Sequence, residues 1–126
     1  MREILLALAA LLGYGKATPP AIVSAIEATA PDADTARLML VWGIGESSLR
    51  NSAVGDGGAS RCWLQVKYLG GLDEENCARA WLGILRYAET KCGSRRSALG
   101  SLATGHCGGA PRLVQKRLDD AGVILP

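Results

Sequence analysis

One carboxyl group stands where it could do acid–base chemistry. Glu46 is predicted to lie in the last turn of a helix, where the negative end of the helix dipole disfavours the ionised form of its side chain. Trp42, one turn earlier, and Leu49, just beyond, would add desolvation in the same direction. A carboxyl group that stays protonated near neutral pH can donate its proton to a leaving oxygen. The alternative interpretation is a solvated surface glutamate.

The segment after this glutamate is predicted to be a loop or a small β-hairpin lobe. Residues 50–62 read RNSAVGDGGASRC, which is polar, rich in glycine and without helical period. An Asp-Gly pair followed by a second glycine suits tight turns, and the low bulk would let an extended polymer approach closely. Asp56 could orient a water molecule or stabilise positive charge on a substrate. It could equally serve only to form the turn before Gly57.

The remainder of the chain is predicted to be helical almost throughout. Apolar residues recur at helical spacing, and Ser, Thr, Asp and Pro precede most of these stretches, as is typical of helix starts. Thr18 is predicted to be the N-cap of a helix that begins with Pro19-Pro20. In the predicted helix 73–92, Ala80, Ile84 and Tyr87 are expected to share one apolar face with Cys77. The predicted helices are 3–12, 18–30, 34–47, 73–92, 94–103 and 111–121.

These elements predict a mainly α fold with one short irregular or β lobe after the helix that carries Glu46. The 126 residues suit a single domain, 1–126, around one core. Trp63 and Trp81 are expected to belong to that core rather than to a ligand platform. His106 is expected in a surface turn, with a place in a cleft as the alternative.

Residues 42–66 resemble the signature of the soluble lytic transglycosylase and goose-type lysozyme superfamily. In that family a Glu-Ser pair ends a helix, and an Ala-Val turn, a Gly-Ala step and an apolar-Gln element follow in order. Similar order extends over about residues 34–105. The matching elements are Glu46-Ser47, Ala53-Val54, Gly58-Ala59 and Leu64-Gln65.

The resemblance implies a lysozyme-like α+β fold and a glycosidase that cleaves peptidoglycan without a cofactor or metal. Glu46 would protonate the glycosidic oxygen between N-acetylmuramic acid and N-acetylglucosamine, and then act as base. In transglycosylases the muramic C6 hydroxyl attacks, whereas in lysozymes water attacks. Ser47 would steady Glu46 or the substrate acetamido group, and Gln65 would line the cleft floor. A carboxyl of Asp56 about 6.5–9.5 Å from Glu46 would indicate an inverting hydrolase.

The chain departs from the family pattern at two places. Cys62 stands where a glycine often precedes the apolar-Gln element, and residues 102–105 read LATG where the family has Tyr-Asn-Ala-Gly. Tyr68, Tyr87 or Thr104 could take over substrate contacts. The departures favour a second hypothesis, a structural tail or neck protein of a virion that keeps the fold with weak or no activity. A small disulfide-bonded inhibitor or binding module would explain the cysteines but not the pattern of residues 46–65.

The chain has four cysteines, and an even number in a small domain predicts two disulfides. The favoured pairing is Cys62–Cys77 with Cys92–Cys107, because each bond would tie a loop edge to a neighbouring helix end. Free thiols and a zinc site are the alternatives, and zinc is disfavoured because the chain has no closely spaced cysteine pair. Disulfides point away from the cytosol.

Charge and hydropathy exclude some classes of partner. The net charge of +2 is too small to predict nucleic acid as the main partner. The apolar start, MREILLALAALL, is too short to span a membrane and is predicted to be a core helix rather than a signal peptide. The family resemblance implies peptidoglycan as the partner and, from the family's uses, a virion-associated protein that contacts other virion proteins, or else a periplasmic or extracellular one.

Overall fold

The computed structural model describes residues 1–67 and 69–126, and this part of the chain contains six α-helices and a three-stranded antiparallel sheet. The helices are α1 Arg2–Leu11, α2 Pro20–Thr29, α3 Ala33–Ser47, α4 Glu74–Cys92, α5 Arg95–Thr104 and α6 Pro111–Ala121. The strands are β1 Val54–Gly55, β2 Ser60–Arg61 and β3 Val66–Lys67. The prediction of a mainly helical chain with a small β lobe after the helix of Glu46 is confirmed.

Helix α3 lies at the centre and packs against α1, α2 and α6. Almost every side chain between Thr35 and Gly43 is buried, so this helix has no solvent face in its middle. Asp32 caps the helix by accepting a hydrogen bond from the Thr35 backbone N–H at 2.7 Å. That hydrogen bond holds the pKa of Asp32 below its ordinary value. Ser48 ends the helix in the left-handed region, with a φ of 54°.

The β lobe is a short meander in the strand order β1-β2-β3. Val54 pairs with Arg61, and Ser60 pairs with Lys67. A single 3-10 turn joins β1 to β2. Three successive residues of that turn have positive φ: Asp56 (50°), Gly57 (65°) and Gly58 (100°). The glycine-rich sequence is therefore needed for the backbone of this turn.

Both predicted disulfides are confirmed, Cys62–Cys77 and Cys92–Cys107. The first bond is buried and ties the β lobe to the start of α4, whereas Cys107 of the second is exposed. The second bond ties the end of α4 to the loop between α5 and α6. Since the sulfurs are bonded to one another, the free-thiol and zinc alternatives are excluded.

Most predicted helix starts are confirmed, and one is wrong. Asp73 accepts from the Asn76 N–H and Ser94 from the Ser97 N–H, as expected of N-caps. Thr18 is not a cap, because its hydroxyl turns back and donates to the Tyr14 carbonyl at 2.7 Å. Pro19 occupies the N-cap position instead.

The predicted face of α4 is also wrong in part. Cys77 is buried, but Ile84 and Tyr87 are 39% and 71% exposed. A different face of the helix is buried, because α2 and α5 both pack against that face. The buried residues are Cys77, Ala78, Trp81, Leu82, Leu85 and Ala88.

The apolar start forms α1 and joins the core, as predicted. Leu5 and Ala9 are fully buried, and Arg2 forms an ion pair with Glu27 of α2 at 2.5 Å. None of the helices described is both long enough and apolar enough to cross a membrane.

Candidate active site

An open cleft of about 150 Å³ runs between the end of α3, the β lobe and helices α4 and α5. Glu46 is the one acidic side chain among the described residues that line it, and Lys67 is the one basic side chain. The remaining wall is mostly apolar or small. The lining consists of Trp42, Glu46, Leu64, Gln65, Val66, Lys67, Trp81, Ile84, Ser101, Leu102 and Gly105.

Glu46 lies in the last turn of α3 with its side chain 29% exposed. Of the two apolar neighbours predicted for it, Trp42 is almost fully buried and lines the same cleft. Leu49 is buried but is not among the described residues that line the cleft, where Leu64 lies instead. The structure adds a contact that the sequence analysis missed. Arg117 of α6 donates from Nη1 to Glu46 Oε1 at 3.1 Å, across 71 residues of sequence.

The guanidinium of Arg117 is held from several directions. Its side chain is only 9% exposed, and its Cζ lies 4.3 Å from the centroid of the Trp42 ring, a cation–π contact. A Cβ on Gly45 would stand 2.6 Å from Nη2 of Arg117, so a larger residue before Glu46 would displace the guanidinium. The glycine therefore permits the approach of the arginine to the carboxylate.

Ser47 lies beneath the cleft rather than in it. Its side chain is buried; Oγ donates to the Trp63 carbonyl at 2.6 Å and accepts from the Arg50 N–H at 3.1 Å. These bonds tie the end of α3 to the β lobe. In this conformation the hydroxyl is engaged by the backbone, so its direct contribution is to hold the turn after Glu46.

Gln65 does line the cleft, as the resemblance implies. Its Nε2 donates to the Ala53 carbonyl at 3.0 Å and to the Cys62 carbonyl at 2.8 Å. Its Oε1 lies against Gly55, where a Cβ would meet it at 2.6 Å. The amide therefore braces the β lobe and fixes one wall of the cleft.

Asp56 and Thr104 are not among the described residues that line the cleft. Asp56 is 61% exposed and accepts from the Ser60 hydroxyl at 2.5 Å, which fits the turn interpretation. The hydroxyl of Thr104 donates to the Gly100 carbonyl at 2.9 Å. His106, in the turn that follows, is exposed. Glu46 and Gln65 thus line one cleft, and Asp56 and Thr104 are outside its described lining.

The two tryptophans predicted for the core are buried, but they differ in one respect. Trp63 is fully buried, and its Nε1 donates to the Glu74 carbonyl at 3.0 Å. Trp81 is 2% exposed at the cleft, and its Nε1 has no hydrogen-bond partner among residues 1–67 and 69–126. Of the tyrosines considered for substrate contact, Tyr87 lies exposed one turn beyond the cleft residue Ile84, and Tyr68 lies outside the described residues.

A larger hollow, of about 320 Å³, lies between α1, α3 and α6. Its charged residues are Arg117 and the pair Lys116 and Asp120, whose ion pair measures 2.6 Å. Asp120 therefore already has an ion-pair partner on its own helix. Across the described ranges, no cluster of three or more His, Cys, Asp or Glu side chains could hold a metal ion.

The chain was compared with protein families, with curated proteins and with solved structures, and nothing matched in any of the three comparisons.

Proposed function

We propose that this protein is a peptidoglycan-cleaving glycosidase, of the lytic transglycosylase or muramidase type, with Glu46 as its acid and base. The observation that carries the proposal is a partly buried carboxyl group on the wall of an open cleft that Gln65 also lines. Both residues belong to the motif that carries the family resemblance. Glycosidic cleavage requires such an acid next to the leaving oxygen.

The proposed reaction uses one carboxyl group twice. Glu46 gives its proton to the glycosidic oxygen, the bond from that oxygen to the anomeric carbon breaks, and the bond electrons stay on the leaving oxygen. The resulting carboxylate then takes a proton from the attacking hydroxyl, whose oxygen bonds to the anomeric carbon. If the muramic C6 hydroxyl attacks, a 1,6-anhydro end forms. If water attacks, a reducing end forms, and in both cases Glu46 regains its proton.

The cleft suits a sugar rather than a strongly charged ligand. Its wall combines apolar side chains with a few polar groups, as saccharide and small-molecule sites commonly do. At about 150 Å³ it is smaller than the ~300 Å³ at which typical ligand pockets begin. A polymer would therefore place only the part around the reacting bond inside and extend over open surface on either side.

The order of the elements supports a lysozyme-like fold. A buried helix ends at the glutamate, a small antiparallel lobe follows at once, and later helices form the opposite wall. The two disulfides fit an oxidising location, so we propose a virion-associated, periplasmic or extracellular protein. Peptidoglycan is the proposed partner, with other virion proteins if the chain belongs to a particle.

One observation favours the second hypothesis, a structural virion protein with weak or no activity. Leu102 lines the cleft where the family pattern has a tyrosine, and Ala103 follows where it has an asparagine. An apolar side chain at that place cannot hydrogen-bond a sugar hydroxyl.

A zymogram with embedded peptidoglycan separates these hypotheses. We expect the purified protein to clear the gel and Glu46→Gln to abolish clearing while keeping its circular dichroism spectrum. The matched control is Glu75→Gln, which removes the exposed ion pair of Glu75 with Arg79 on α4. Persistent clearing by Glu46→Gln contradicts the site, and an inert wild-type protein favours the structural role. Mass spectrometry of the products then distinguishes 1,6-anhydro ends from reducing ends.

A further inference from the structure

We infer that Arg117 is the positioning residue for Glu46: it holds one carboxyl oxygen from behind the cleft and so aims the other at the substrate. The inference rests on the proposed function. The motif around Glu46 does not include Arg117, which lies on the last helix of the chain.

The two partners of this ion pair open onto different sides of one wall. Glu46 lines the cleft, whereas Arg117 lines the hollow between α1, α3 and α6 and is not among the described cleft residues. The hydrogen bond from Nη1 to Oε1 therefore crosses the wall. Because Arg117 approaches from the rear, a substrate in the cleft would meet Glu46 without meeting the arginine.

The guanidinium has little freedom to move away. It is stacked on Trp42, which is itself 1% exposed and contacts Trp81 at a centroid distance of 6.2 Å. It also lies close to Gly45, the residue next to Glu46. A position stacked on an aromatic ring suits the planar guanidinium of arginine better than the ammonium of lysine.

This geometry suits both protonation states of the acid. Residues 1–67 and 69–126 give Oε2 of Glu46 no hydrogen bond, so Oε2 is the oxygen that would carry the proton. When Oε2 is protonated, Oε1 remains a carbonyl oxygen and still accepts from Arg117. The carboxyl group therefore keeps its orientation through donation and recovery of the proton.

The other charged residues that line the cleft and the hollow have ion-pair partners of their own. Lys67 of the β lobe lies on the cleft side and stands 3.9 Å from Asp56. Lys116 and Asp120 of α6 share the rear hollow and pair with each other. No other basic side chain in the described ranges forms an ion pair with Glu46.

Steady-state cleavage of soluble peptidoglycan fragments tests the inference with four variants. Arg117→Met keeps an unbranched stem but removes the donor, and Arg117→Lys keeps the charge but loses the planar stacking. Gly45→Ala leaves the arginine in the chain and displaces its guanidinium. Lys116→Met is the matched control, because it removes an exposed ion pair from the adjacent position of α6.

We expect kcat of Arg117→Met to fall about tenfold to hundredfold with KM changed less than about twofold, since a small misplacement of a reacting group costs this much. Arg117→Lys should recover part of the loss, Gly45→Ala should lose kcat in the same way, and Lys116→Met should match the wild type. If Arg117→Met does not fold, Gly45→Ala carries the test.

Three outcomes overturn the inference, and they distinguish its failure from that of the proposed function. If the wild type cleaves, Glu46→Gln does not, and the folded Arg117 and Gly45 variants keep kcat within about twofold of wild type, only the positioning role fails. If KM rises and kcat stays constant, Arg117 acts in binding and the inference is wrong. If the wild-type protein is inert, the proposed function fails and this inference with it.

Discussion

The two walls of the cleft are built in different ways. The wall that carries Glu46, Gln65 and Lys67 contains both charged lining residues, and the buried Cys62–Cys77 bond ties its β lobe to the start of α4. The opposite wall, on α5 and the turn after it, contributes Ser101, Leu102 and Gly105, and the Cys92–Cys107 bond near it is partly exposed.

The two walls also differ in the contacts that hold them in place. The glutamate wall is fixed by buried polar contacts, such as those of Ser47 and Gln65 with backbone carbonyls. Such contacts are costly to lose, because a buried polar group without a partner pays its full desolvation penalty. The lining residues of the opposite wall, on α5 and the turn after it, are small or apolar. The two charged lining residues and these hydrogen bonds therefore lie on the same side of the cleft.

The disulfides offer the largest test of this comparison, because both bonds span 15 residues and have nearly the same loop entropy. Replacing Cys92 and Cys107 by alanine should cost about 3 kcal/mol of unfolding free energy. Replacing Cys62 and Cys77 should cost about 1–2 kcal/mol more, because their buried sulfurs would leave a cavity. Urea unfolding of the two double variants measures the difference. Equal losses would show that the burial of the Cys62–Cys77 bond adds nothing to the free energy of unfolding.

A pair of serines compares the walls directly. Ser47→Ala should lower the free energy of unfolding by about 1–3 kcal/mol, because the Trp63 carbonyl loses its buried donor. Ser101→Ala, on the partly exposed opposite wall, should stay within about 0.5 kcal/mol of wild type. The measurement is again chemical denaturation, and a larger loss for Ser101→Ala would contradict the proposed difference in rigidity between the two walls.

The two tryptophans sharpen the comparison further. Trp63→Phe and Trp81→Phe remove similar volumes, but only the first removes a hydrogen bond, the one to the Glu74 carbonyl. We expect Trp63→Phe to be less stable than Trp81→Phe by about 1 kcal/mol. Thermal unfolding of both variants measures this. Equal stability would mean that the indole of Trp81 has a partner, such as an ordered water molecule.

The N-caps of the two wall helices give the smallest expected effect. Asp32→Ala and Ser94→Ala should each cost about 1 kcal/mol at neutral pH. The pKa of Asp32 is lowered on folding, so its contribution is present above the unfolded pKa and is lost as pH falls through the folded value. The loss for Asp32→Ala should therefore shrink in acid, whereas that for Ser94→Ala should not. A pH-independent loss at Asp32 would contradict the capping account.

Local signals in the sequence predicted much of the fold. Asp73, Ser94 and the prolines fix helix starts within a few residues, and the disulfide pairing followed from loop edges next to helix ends. Thr18 failed as a cap because the prolines that follow it set the helix start and its hydroxyl had a nearer carbonyl. The face of α4 failed because its packing against two helices, and not its own period, decides which side is buried.

The candidate site was predictable only where its residues are near in sequence. Glu46 and Gln65 lie within one motif, and the structure brings them to one cleft. Arg117 comes from the far end of the chain, so no spacing could reveal that it contacts Glu46. Gly45 is a local signal that could have suggested a close approach, since it places a residue without a side chain directly before the acid.

The central claim is that Glu46 is the acid that cleaves the glycan. The most direct measurement is the rate at which purified protein releases soluble fragments from intact peptidoglycan, with wild type and folded Glu46→Gln assayed side by side. The account predicts steady release by the wild type and a rate for Glu46→Gln at least about a hundredfold lower, since general acid catalysis contributes on this scale. Equal release by the two proteins would contradict it.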